Sequence, residues 1–114
     1  MKKAIALNPL HPLWYYLPIA MDHYFSGRLE AALAQAKNVD MPGFYWSYAT
    51  LVLMYGAMNR KEDAQPAVRK LLQLNPEFPR VVRQEFARWN MTPDQIEQTV
   101  RDYRKAGLEI PDEN

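Results

Sequence analysis

The sequence predicts an all-α fold, a right-handed superhelix of about three antiparallel helix pairs within a single domain of 114 residues. Three observations predict it. The chain matches itself at an offset of 32 residues, placing Trp14 over Trp46, Tyr16 over Tyr48, Ile19 over Leu51 and Ala32 over Ala64. In the same register Gly27-Arg28-Leu29-Glu30 answers Asn59-Arg60-Lys61-Glu62. That period fits two helices and a turn, a unit that buries its apolar face only by stacking on another copy. Finally, nearly half of the residues (48%) are hydrophobic and only four are glycine, with no alternating pattern of the kind strands show.

The elements follow in order. Residues 2–7 read as the end of a helix closed by Asn8-Pro9. Pro12 starts the next helix, where its missing N–H costs nothing, and that helix runs to Phe25 with Pro18 inside it. Ser26-Gly27 turns the chain into a short alanine-rich helix from Leu29 to about Asn38. Asp40 is the expected cap of a third helix reaching Met58. Asn59-Arg60 turns again, and a fourth helix spans Lys61 to Leu74 before Asn75-Pro76 closes it. A fifth, Pro79 to Trp89, carries Val82, Phe86 and Trp89 on one side. Thr92-Pro93-Asp94-Gln95 has an N-cap, an N1 proline and a capping-box glutamine, the strongest helix start in the chain. This sixth helix ends with Arg104-Lys105 and a C-cap at Gly107, and Leu108-Glu109-Ile110-Pro111 folds back as a tail.

Composition narrows the function. A net charge of +1 gives no broad field for nucleic acid or an acidic membrane. The absence of cysteine removes disulfides and thiolate metal sites and suits a reducing, cytoplasmic compartment. The amino-terminal lysines are not followed by a leader-like apolar stretch. Met41 to Asn59 is free of charge, but it holds Pro42, Gly43, Ser47 and Thr50 in register with an amphipathic copy, so it reads as a buried scaffold helix.

These repeat positions resemble the tetratricopeptide repeat. The second copy presents Tyr48, Leu51, Tyr55, Asn59, Ala64 and Pro76; the first presents Tyr16, Ile19, Ala20, His23, Gly27 and Ala32. Departures are His23, where the family commonly has tyrosine, and Val52, where it has a small residue. The repeats divide as about 11–42 and 43–76, with a degenerate third pair at about 78–107 that lacks the glycine turn and the helix-B alanine. The runs Trp14-Tyr15-Tyr16 and Met41-Pro42-Gly43-Phe44-Tyr45-Trp46, with Arg104-Lys105-Ala106-Gly107-Leu108, also resemble carboxyl-terminal repeat regions of bacterial signalling proteins, namely class III adenylate cyclases and winged-helix regulators. Neither a cyclase nor a DNA-binding motif accompanies them.

The resemblance implies a protein-binding scaffold without catalysis, cofactor or metal. In that family the concave groove is lined by helix A. Here this implies Trp14, Leu17, Met21, Tyr24 and Phe25 from the first copy and Trp46, Leu53, Gly56 and Ala57 from the second, with Arg80 and Arg83 placed to meet an acidic group. The partner expected is a protein or peptide, or a second copy of the chain, with no nucleic acid and no membrane. Small residues Gly56 and Ala57 opposite Tyr24 and Phe25 leave room for a pocket, so an apolar small ligand is the competing reading. His11 and His23 lack metal-ligand spacing, and Ser26 and Ser47 are explained by the repeat.

Overall fold

The computed structural model describes residues 11–38 and 43–112, with residues 11–16 described for the backbone only. The expected helix over residues 2–7, the Asp40 cap and the Trp14 and Tyr16 side chains lie outside that description. Six helices make up the described chain: α1 (His11–Phe25), α2 (Leu29–Lys37), α3 (Tyr45–Ala57), α4 (Lys61–Leu74), α5 (Phe78–Arg88) and α6 (Pro93–Lys105). No strand occurs among the described residues.

The 32-residue repeat is visible in the atoms of its turns. At the end of α1 the Gly27 N–H donates to the Tyr24 carbonyl (3.1 Å) and the Arg28 N–H to that of His23 (2.9 Å). At the end of α3 Asn59 donates to Gly56 (3.0 Å) and Arg60 to Tyr55 (2.8 Å), the same pair of bonds 32 residues on. This is a Schellman closure, which needs a residue of positive φ; Gly27 sits at 82° and Asn59 at 59°. Arg28 and Arg60 then enter α2 and α4 with matching bonds from Ala32 (2.9 Å) and Ala64 (3.2 Å) to their carbonyls. Both alanines are fully buried.

The third pair corrects the sequence expectation. Its turn survives, with Asn90 at φ 64° standing where the repeat pattern asks for glycine. Asn90 donates to Ala87 (3.0 Å) and Met91 to Phe86 (3.2 Å), repeating the closure of the first two turns. Asparagine tolerates the left-handed region better than most side-chain-bearing residues, so it serves the same purpose. The capping box at Thr92 and Gln95 forms as expected, with reciprocal bonds of 3.1 and 3.0 Å. Two other bounds differ. α3 starts at Tyr45 behind Phe44, which offers no side-chain cap, and α5 begins at Phe78, one residue before Pro79.

Packing centres on α3. It lies against α2, α4 and α6 and touches α1, while α1 packs on α2 and α5 on α6. α5 reaches α3 through rings: Trp46 meets Phe78 at 5.4 Å, Phe86 at 5.6 Å and Trp89 at 4.8 Å between centroids. Tyr103 of α6 completes the cluster on Phe78 (5.5 Å) and Phe86 (6.4 Å). Such ring pairs add ~0.5–1.5 kcal/mol each beyond the area they bury.

Where α6 crosses α3 the backbones nearly touch. A Cβ on Gly56 would run into the Asp102 carbonyl, and Ala106 lies 3.2 Å from the same position. Because Trp46 meets Trp89 at the α5–α6 turn and Gly56 meets Asp102 and Ala106, α6 runs alongside α3 in the same direction. The consequence for burial reverses the expected faces. Leu17, Met21, Tyr24, Trp46, Leu53 and Gly56, which the sequence assigns to a groove, are buried. Ile19, His23, Tyr48, Leu51 and Tyr55, which it assigns to the interior, are only partly covered.

Candidate functional site

The expected groove is therefore divided. Its far half is filled by the chain's own last helix. Tyr24, 1% exposed, donates its hydroxyl to Asp102 Oδ2 at 2.5 Å. Leu53 and Gly56 lie beneath α6, and the space over Gly56 where the sequence leaves room for a small ligand holds the Asp102 backbone. Phe25 is partly buried and packs edge-on to Tyr24 at 4.8 Å, while Ala57 is partly buried at the end of α3. The reason is that a glycine in α3 admits a helix at close range, and α6 offers Ala106 and a carboxylate matched to Tyr24.

The near half stays open as an apolar cleft of about 480 Å³. One wall is α1, contributing Leu17, Pro18 and Met21; the other is the start of α3, with Phe44 and Trp46; Trp89 and Met91 from the α5–α6 turn complete the lining. None of these described lining residues is ionisable. Trp46 is 6% exposed and is held by the ring cluster, so it forms the floor. Trp89, at the C-cap of α5, leans on Trp46 at 4.8 Å and on Phe86 at 5.5 Å yet remains 40% exposed. A ring already held by two neighbours and still partly wet loses little freedom when a partner covers it. The cleft can desolvate an apolar group and offers no acid, base or nucleophile among its described lining residues.

Three of the expected site residues, Leu17, Met21 and Trp46, meet here. Trp14 lies one turn before Leu17 on the α1 backbone. Pro18, Phe44, Trp89 and Met91 are not among the site residues the sequence points to. The signal that could have found Trp89 is Asn90, because a positive-φ closure there places Trp89 at a helix end, where a bulky ring leaves the continuous helix face.

Arg80 and Arg83 do not converge on a ligand. Arg80 is exposed and faces Glu77 at 3.5 Å. Arg83 is largely buried, pairs with Glu97 (3.1 Å) and donates to the Pro111 carbonyl (2.6 Å). Arg104 holds the Ile110 carbonyl through two nitrogens (3.0 and 2.7 Å) and reaches Asp112 (3.1 Å). The guanidiniums of Arg83 and Arg104 thus clasp the returning tail, whose Leu108 and Ile110 are buried. A second, more polar cavity of about 680 Å³ lies beside them.

Burial governs the tyrosine electrostatics. Desolvation, then the bond and charge of Asp102, push the Tyr24 phenol well above its usual range. Desolvation does the same for Tyr103, whose hydroxyl has no hydrogen-bond partner among the described residues. Tyr45 is raised by burial and by the nearby Glu85 charge. The described residues include no cluster of three metal-ligating side chains, and no described helix is long and apolar enough to cross a membrane. Comparison with protein-family models, with curated proteins and with solved structures returns no match.

Proposed function

We propose that the chain is a non-catalytic scaffold of tetratricopeptide-like helix pairs, stacked with a right-handed superhelical sense, that holds a protein partner by an apolar segment seated in the Leu17–Trp46–Trp89 cleft. The repeated turn geometry at Gly27 and Asn59, with buried alanines 32 residues apart (64 − 32), supports the repeat. The observation that carries the binding role is Trp89. It is one of two large apolar side chains that stand exposed among the described residues, the other being Leu74, and it alone of the two lines the apolar cleft. Partly exposed tryptophans in apolar clefts are the residues that most often dominate association energy.

A peptide or protein suits the cleft better than a ligand over Gly56, where α6 leaves no room. A cytoplasmic setting and a place in a larger signalling protein fit the cysteine-free sequence and the resemblance described above. The test compares capture from a cell extract by the wild-type chain, by Trp89→Glu and by Leu74→Glu. A partner bound through the cleft is retained by the wild type and by Leu74→Glu and released by Trp89→Glu. Equal retention by all three rejects the cleft as the binding surface.

A further inference from the structure

We infer that the group this cleft takes from its partner is a neutral aromatic side chain. This rests on the scaffold reading above and names the chemistry its site selects. Charge is the first argument. The described lining carries no ionisable residue, so a cationic or anionic side chain entering about 480 Å³ of mostly apolar space would lose water without gaining an opposite charge.

Ring chemistry is the second argument. Trp46 and Trp89 stand 38° apart at 4.8 Å, and both rings line the cleft. Phe44 joins them from the residue before α3, and Met21 and Met91 supply thioethers from two different elements, α1 and the α5–α6 turn. Edge-to-face and sulfur–aromatic contacts reward a flat π system over an aliphatic group of equal area. Thioether side chains also adapt their shape, so the cleft accepts a ring without a preformed slot. The turn that supplies Trp89 and Met91 is fixed by the Asn90 closure, which holds both residues at the cleft.

The experiment uses the full chain with 13C-labelled methionine methyls. It is titrated with N-acetyl-tryptophanamide, N-acetyl-phenylalaninamide, N-acetyl-leucinamide and N-acetyl-lysinamide. The aromatic amides are expected to shift the Met21 and Met91 methyls saturably while fully buried Met54 stays still. Leucinamide should bind roughly threefold to tenfold more weakly, and lysinamide weaker again by about tenfold or more. Trp89→Ala should weaken the aromatic amides by about tenfold or more. Met91→Lys, which places a cation at the cleft, should do the same without touching the ring cluster. Leucinamide or lysinamide binding as tightly as the aromatic amides overturns the inference, as does an absence of any shift at Met21 and Met91. If the amides fail but Trp89→Glu still releases a captured partner, the scaffold reading stands and only the aromatic preference is lost. If Trp89→Glu keeps the partner, both fall.

Discussion

The Tyr24 hydroxyl and Asp102 Oδ2 meet at 2.5 Å across 78 residues of chain, joining the end of α1 to α6 in a buried bond. This contact decides which part of the helix-A face is structural and which part is open. Asp102 has another neighbour in Lys105 (3.5 Å), so its carboxylate is held from two sides. Tyr24→Phe keeps the ring and removes the donor, leaving a largely buried carboxylate oxygen short of a partner. The expected cost is ~1–3 kcal/mol of unfolding free energy. A urea-denaturation double-mutant cycle with Asp102→Ala checks it, the coupling between the two positions being the quantity of interest.

Alkaline pH should unlock the same contact. Tyr24 and Tyr103 have folded-state pKa values raised above the ordinary 10.0 by burial. The folded state therefore keeps protons that the unfolded chain gives up. Their stabilisation is complete below the unfolded pKa near 10 and falls as pH rises past it. Denaturation midpoints should be level up to about pH 9 and drop steadily above about pH 10. Tyr24→Phe should flatten that drop. A slope as steep in the variant as in the wild type would assign the effect elsewhere.

Gly56 tests the close approach of α6. Alanine is the better helix former by about 1 kcal/mol, so an unobstructed Gly56→Ala would stabilise α3. Here the new methyl meets the Asp102 carbonyl, and overpacking of this kind costs ~1–3 kcal/mol. The expected sign is destabilisation. Gly43→Ala, with nothing within 4 Å of the added Cβ, is the control and should leave the melting temperature nearly unchanged.

Tyr103 makes the opposite prediction. Its ring is locked among Phe78 and Phe86, but its hydroxyl is buried with no partner among the described residues. Tyr103→Phe keeps the ring contacts and removes an unsatisfied polar atom. Stability should hold or rise by up to about 1 kcal/mol. A loss above that in thermal unfolding would mean the hydroxyl has a bonding role.

The repeat is legible in the sequence because its turns are local. Gly27 and Asn59 announce positive φ by residue type, and the capping box at Thr92 is written in four consecutive residues. Asn90 carries the same signal in a less specific letter, since asparagine occurs in many settings that do not need a left-handed backbone. The site is harder to read, for a physical reason. Whether Tyr24, Leu53 and Gly56 form a groove or a seat depends on where α6 lands, and Tyr24 meets Asp102 across nearly the whole length of the chain. The large–small alternation does mark complementarity, yet the complement is the chain's own helix. Trp46 and Trp89 illustrate the other half. By sequence Trp46 is an anchor and Trp89 is core; in the fold Trp46 is a buried hub and Trp89 stands exposed.

The most direct measurement of the central claim, that the chain binds through the cleft and closes the rest of the face with α6, is amide hydrogen exchange with and without the captured partner. The account predicts added protection in the Phe44–Trp46 start of α3 and at Asn90–Met91, with no change around Gly56 and Asp102. Protection gained only around Gly56 and Asp102, with the cleft unchanged, would contradict it.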